Sequence, residues 1–209
     1  MSTLTANGVH VARRPPAEAD GLFWRLSVDQ YHAMIREGIL TPDDPIELLE
    51  GWLIRKMPKY PKHTLATHLL RKLLEKCFPE NCGWYVESQE PITLSDSEPE
   101  PDNVVIRGTP RDYSDRHPGP ADLGIVIETS DSSLEHDQGW KKRIYAKERV
   151  PIYWIVNVPD RRIEVYTEPS GPATNPDYAK RQDFGTDEVV PVNVDGKEWG
   201  RIAVNDVLP

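Results

Sequence analysis

The chain has 209 residues, with 25 Lys and Arg against 34 Asp and Glu, for a formal net charge of −9. That length suits one globular domain, since domains cluster at roughly 100–200 residues. Taken as a bulk property, the acidic balance argues against a protein that coats nucleic acid by charge alone.

The longest apolar stretches, such as residues 152–156, fall far short of the roughly 18–20 residues of a membrane span. Arg13, Arg14, Pro15 and Pro16 stand where a secretion signal needs an apolar core. A cytoplasmic protein with no membrane partner is therefore expected. Cys77 and Cys82 are too few for a disulfide scaffold or a four-ligand zinc site, and read as one buried and one loop thiol. The 20 prolines are spread along the chain as punctuation between short elements.

Residues 1–22 read as a flexible N-terminal arm, polar and without periodicity. Ser27 with Gln30 forms a capping-box start, Tyr31, Met34 and Ile35 share a face, and Gly38 stops the helix. Two short apolar runs, 46–49 and 52–54, flank Glu50-Gly51 as a hairpin. Residues 62–77 give the clearest helix, with Leu65, Leu69 and Leu73 interleaving with Ala66, Leu70, Leu74 and Cys77 in one broad apolar stripe. Strands are expected at 84–88, 92–94, 103–106 and 124–127. A helix over 137–149 turns Trp140, Ile144 and Tyr145 inward. Strands at 152–156 and 162–166 are joined by a turn at Pro159-Asp160, and Tyr153 and Trp154 point to opposite faces as core residues. Residues 169–184, polar with three prolines, read as a long loop, and strands at 189–192 and 201–204 close the chain. Helices against a mixed sheet make an α/β (α+β) fold, in one domain over 23–209.

A phosphate-binding loop, a dinucleotide fingerprint, a Gly-x-Ser-x-Gly elbow and a His-Glu-x-x-His helix are all absent from the sequence. His63 and His68 point to different faces of their helix. What remains is a set of carboxylates. Asp102 closes a Glu-Pro-Glu-Pro-Asp run directly before an apolar strand, and Glu128 follows the apolar run 124–127. A carboxylate at such a position needs positive compensation. Two acids at neighbouring strand ends supply hard oxygen ligands of the kind Mg²⁺ prefers. Asp137 and Lys141 follow at the start of the next helix, and a lysine there can orient water and stabilise charge on a phosphate. The alternatives are a turn role for Asp102 and a structural ion pair between Glu128 and Lys141.

An Asp before one strand and a Glu at the end of the next resemble the PD-(D/E)XK nuclease pattern. More closely, the chain resembles the Uma2 family of endonucleases, over most of its length. The likeness rests on Ile46-Glu47-Leu48-Leu49-Glu50-Gly51, Pro61-Lys62-His63, Pro99-Glu100-Pro101-Asp102 and Ile127-Glu128-Thr129-Ser130-Asp131-Ser132-Ser133. It continues through Asp137, Lys141, Tyr145 and Ile152-Tyr153-Trp154-Ile155-Val156. The resemblance implies a restriction-endonuclease-like core, a central mixed sheet flanked by helices, and hydrolysis of DNA phosphodiester bonds with Mg²⁺ or Mn²⁺. It implies Asp102, Glu128 and the Thr129 carbonyl as metal ligands, and Asp102, Glu128 and Lys141 as the catalytic set. Ser130 stands where the parent pattern has its lysine, and Lys141 matches the Uma2 lysine position. Glu47, His63, Ser130, Asp137 and Tyr145 are supporting candidates. For His63 the competing role is a backbone hydrogen bond in the first helical turn, and for Glu47 an ion pair with Lys141.

Two other functions remain open from sequence: a nuclease-fold module that binds nucleic acid or protein without catalysis, and a metal-dependent hydrolase of a small phosphorylated substrate. A homodimer would suit cutting two strands. Along the chain the charge is segregated, with basic runs at 55–76 and 141–149 and acidic runs elsewhere, so the net charge does not exclude DNA.

Overall fold

The structure, a computed structural model, describes residues 23–41 and 43–209. The expected arm over 1–22 lies outside the described residues. Ser27 caps α1 (Val28–Arg36) as predicted: its hydroxyl accepts from the Gln30 amide, and the Gln30 side chain accepts from the Ser27 amide. The hairpin of β1 (Ile46–Leu49) and β2 (Trp52–Arg55) turns on Glu50 and Gly51, both at positive φ. Gly51 also admits no side chain, since a Cβ there would lie 2.7 Å from that of Arg25.

The long helix forms as α2 (Pro61–Cys77), but its buried stripe is narrower than its apolar pattern. Ala66, Thr67, Leu70 and Leu74 are buried, while Leu65 is 46% exposed. One flat sheet beneath a helix covers only the line of i, i+4 positions, and Leu65 lies off that line.

Three strands follow: β3 (Trp84–Glu87), β4 (Asn103–Arg107) and β5 (Leu123–Ser130). The strand expected at 92–94 does not form. Ile92 and Leu94 are buried, yet their amides bond to the Pro99 and Ser97 carbonyls inside a loop, so these apolar residues anchor a loop and join no ladder. β5 runs past its apolar core and carries Glu128, Thr129 and Ser130 within the strand. Next come α3 (Leu134–His136), a π-helical turn at Asp137–Lys141, and α4 (Lys142–Lys147), with Trp140, Ile144 and Tyr145 buried as expected.

The chain continues through β6 (Ile152–Asn157), β7 (Arg162–Pro169) and β8 (Tyr178–Gly185). β8 corrects the long loop expected over 169–184: it pairs antiparallel with β7 along its length. Its polar sequence is that of a sheet edge, where residues 179–183 are exposed and need no apolar alternation. β9 (Val189–Val194) and β10 (Lys197–Ala203) form a separate hairpin.

The central sheet has the order β3-β4-β5-β6-β7-β8, antiparallel except for the parallel pair β5–β6. The α3–α4 segment is the crossover that a parallel pair requires. Both sheet faces are covered. α2 and the β9–β10 hairpin bury Leu70, Ile127 and Trp154 on one face, while α4 packs Ile144 and Tyr145 against Val126 and Tyr153 on the other. Each such full burial stabilises by about 1.5–3 kcal/mol. Among the described residues, no helix is long and apolar enough to cross a membrane.

Candidate active site

β4 enters the sheet at the end where β5 leaves it. Asn103 pairs with Ile127, so Asp102 and Glu128, one step further out, stand across from each other on one face, both buried. The Asn103 side-chain Nδ2 donates to the Thr67 carbonyl at 3.1 Å and fixes the start of β4 against α2. Ser130 serves the β5–β6 ladder, its carbonyl accepting from the Val158 amide. By strand alternation the Thr129 peptide faces the β4 side, beyond the end of the β4–β5 ladder. Its N–H donates to Asp102 Oδ2 at 2.8 Å. His63, from the first turn of α2, places Nε2 2.9 Å from the same oxygen.

Glu128 is held from the helical side. Its Oε1 accepts from Lys141 Nζ at 3.0 Å and from the Tyr145 hydroxyl at 2.7 Å. Lys141 Nζ also lies 3.5 Å from Glu47 Oε2, contributed by β1. The π turn sets this geometry. The Lys142 amide bonds to the Asp137 carbonyl five residues back, which widens the turn that presents Lys141. Asp137 takes a different role from Lys141: its Oδ2 accepts from the Ser130 and Ser133 hydroxyls at 2.7 and 2.6 Å.

The electrostatics show an excess of buried acid. Burial pushes the Glu128 carboxyl up to about 8 against the pull of Lys141, with Asp137, Asp102 and Glu47 adding to the rise. Burial also raises Asp137, opposed by Lys141 and by the two serine hydroxyls. For Lys141, burial favours the neutral amine, but Glu128, Glu47 and Asp137 override it and hold the ammonium well above its ordinary value. One ammonium does not balance the carboxylates around it.

The cleft over these groups has a volume of about 70 Å³, room for roughly five ordered waters at about 10–15 Å³ each. Glu47, His63, Asp102, Glu128, Thr129, Asp137 and Lys141 all line it. Tyr145 and Ser130 stand behind them, bonded to Glu128 and Asp137. The sequence alternatives for Glu128 and Glu47, ion pairs with Lys141, are present in the same cluster. The backbone hydrogen bond weighed for His63 is replaced by its contact with Asp102. Residues that sequence reasoning did not single out also line the cleft, notably Lys56, Glu100 and His136. Lys56 Nζ meets both Glu100 oxygens at 2.8 Å. Ser133, another, was visible only as part of the Ser-rich run after Glu128.

The donor set fits a hard divalent cation. Among the described residues, Asp102 Oδ1 and Glu128 Oε2 accept none of the site's hydrogen bonds, and an added positive charge would relieve the carboxylate excess. Among the described residues, no group of three or more His, Cys, Asp or Glu side chains is placed to hold a metal ion by itself. The two carboxylates make an open set instead, as suits Mg²⁺, which keeps several of its waters.

Residues 28–199 match the family profile of Uma2, described as "Putative restriction endonuclease". The chain belongs to the Uma2 family. A solved structure described as a putative nuclease belonging to DUF820, from Anabaena variabilis, superposes with a TM-score of 0.63 over 87% of this chain and 97% of that one, at 15% identity. At that identity the likeness shows the fold: a mixed sheet with few helices, as in that nuclease-like neighbour. Among curated proteins no match is found. The family's description points to nuclease function in general. Within this Uma2 chain, Ser130 is fully buried with its hydroxyl committed to Asp137, and the ammonium beside Glu128 comes from Lys141 on the crossover segment.

Proposed function

We propose that this Uma2 protein is a Mg²⁺- or Mn²⁺-dependent endonuclease that hydrolyses DNA phosphodiester bonds. The observation that carries the reading is the convergence of Asp102, Glu128 and Lys141 in one small acidic cleft. Asp102, Glu128 and the Thr129 carbonyl would hold the metal, which supplies Lewis-acid activation of water and neutralisation of phosphate charge.

The remaining work falls to the chain itself. Thr129 N–H and His63 Nε2 fix one Asp102 oxygen and leave the other toward the cleft. Tyr145 and Lys141 do the same for Glu128. Lys141, kept charged by its acidic neighbours, places an ammonium where negative charge grows on the phosphoryl oxygens. Preorganised charge of this kind needs no rearrangement during the reaction, which makes positioning and electrostatics the main sources of acceleration.

The test is cleavage of plasmid and short duplex DNA with Mg²⁺ or Mn²⁺ by wild type, Asp102→Ala and Glu128→Ala. Activity in wild type alone supports the assignment, and equal activity in all three would sink it. A second reading is favoured by one observation: the Glu128–Lys141 pair is already closed, as in a structural ion pair. A module that kept the fold without the chemistry would show no carboxylate-dependent Mn²⁺ binding by calorimetry.

A further inference from the structure

The two basic runs of the sequence have different fates in the fold. In the second, Lys141 is held by Glu128, Lys142 by Asp177, Arg143 by Glu50 and Lys147 by Asp96. The Arg149 guanidinium lies against Gly171. The α4 face is therefore internally neutralised, while Arg149, beyond its end, is exposed and forms no ion pair among the described residues. In the first run, Lys56 pairs with Glu100 and Arg71 with Glu75. Arg55, Lys59 and Lys62 are exposed and form no ion pair among the described residues.

Two of these cations line the cleft, and the third is the sequence neighbour of His63, which also lines it. Arg55 ends β2, and Lys59 lies on the link to α2; both line the mouth of the acidic cleft. Lys62 stands in the first turn of α2, between Tyr60 and His63, which line the same cleft. No acid occupies that first turn. A cation there opposes the helix dipole. Breaking a local rule without internal compensation is a mark of a functional surface.

The inside of the cleft is acidic and its rim is cationic. We infer that the segment 55–62 is a phosphate clamp, in which Arg55, Lys59 and Lys62 bind backbone phosphates of duplex DNA flanking the one placed in the cleft. Recognition through phosphates carries no sequence information directly, so the clamp fixes register without selecting bases. The inference rests on the nuclease reading for its choice of polyanion, but its test does not depend on cleavage.

The experiment measures binding of a fluorescent 20-base-pair duplex to the Asp102→Asn protein by anisotropy, across a series of NaCl concentrations. The same background carrying Arg55→Ala, Lys59→Ala and Lys62→Ala is compared with one carrying Lys72→Ala, Lys76→Ala and Lys197→Ala. The second set removes the same charge away from the cleft mouth. The clamp variant is expected to bind about tenfold or more weakly at low salt. Its slope of log K against log[salt] should fall by about 2–3, at roughly 0.9 per lost phosphate contact. The control set should stay within about twofold of the parent. Equal weakening in both triple variants, an unchanged slope in the clamp variant, or no duplex binding by the parent would each overturn the clamp. Wild-type cleavage of the same duplex with Mn²⁺ is scored separately. Cleavage with an unchanged slope defeats the clamp alone, and a lost slope without cleavage defeats the nuclease reading alone.

Discussion

Lys141 and Glu128 form a buried ion pair at the floor of the cleft, Nζ to Oε1 at 3.0 Å, joining the crossover segment to β5. Glu47 stands 3.5 Å from the same ammonium, so removing the lysine would strand two buried carboxylates. Breaking a buried pair from one side costs about 3–5 kcal/mol. Lys141→Ala should therefore lower the unfolding free energy read from urea denaturation by that much and abolish cleavage. Lys141→Met combined with Glu128→Gln should regain most of the stability without regaining activity. A double variant no more stable than the single one would show that the pair is not what the lysine supports.

The raised Glu128 carboxyl sets a pH dependence. A carboxyl whose pKa is higher in the folded chain binds its proton more tightly when folded. Its stabilisation is then complete below the ordinary value of 4.5 and is lost as pH rises through about 8. Asp137 is shifted the same way. Lys141, held well above its ordinary value, stays charged in both states through this window and adds no slope. The melting temperature of metal-free wild type should fall between about pH 5 and pH 8.5, and that of Glu128→Gln should fall less. Parallel curves for the two proteins would remove Glu128 as the cause.

How much of this was legible in the sequence depends on the range of the interaction. Asp102 just before β4 and Glu128 just after the apolar run of β5 could be singled out because the signal is local: a carboxylate abutting an apolar run, although β5 extends past Glu128 to Ser130. The capping box at Ser27 and the Glu50-Gly51 turn are equally local. The contact of His63 with Asp102 joins residues 39 apart in sequence, and no local pattern reports it. The pairing of Arg143 with Glu50 likewise arises only from the tertiary fold, so a basic run read as a DNA face is a neutralised one. β8 escaped notice because an edge strand can be polar along its length, and 92–94 read as a strand because loop anchors are also short and apolar.

The narrow stripe of α2 gives a stability contrast. Leu70 is fully buried against the sheet, while Leu65 is 46% exposed, although the helical pattern counts them alike. Leu70→Ala should destabilise by about 2–5 kcal/mol through lost burial and a residual cavity. Leu65→Ala should stay within about 0.5 kcal/mol. Chemical denaturation of both variants checks the packing face directly, and comparable losses would place the helix in a different rotation.

Tyr145 offers a test of how Glu128 is held that leaves every charge in place. Its hydroxyl, fully buried, donates to Glu128 Oε1 at 2.7 Å, beside the lysine on the same oxygen. Burial, with Glu128 next in weight, raises the phenol well above its ordinary value, so it remains a donor throughout the working pH range. Tyr145→Phe keeps the ring packed against Tyr153 and removes only the hydrogen bond. The loss should be about 1–3 kcal/mol, the cost of leaving a buried acceptor short of one partner. With one fixed donor fewer, Glu128 has more freedom to turn away from the cleft. Mn²⁺ affinity, read by calorimetry, should weaken with the cleavage rate. Weakened cleavage with unchanged Mn²⁺ affinity would instead assign Tyr145 to the reaction and remove it from the support of Glu128.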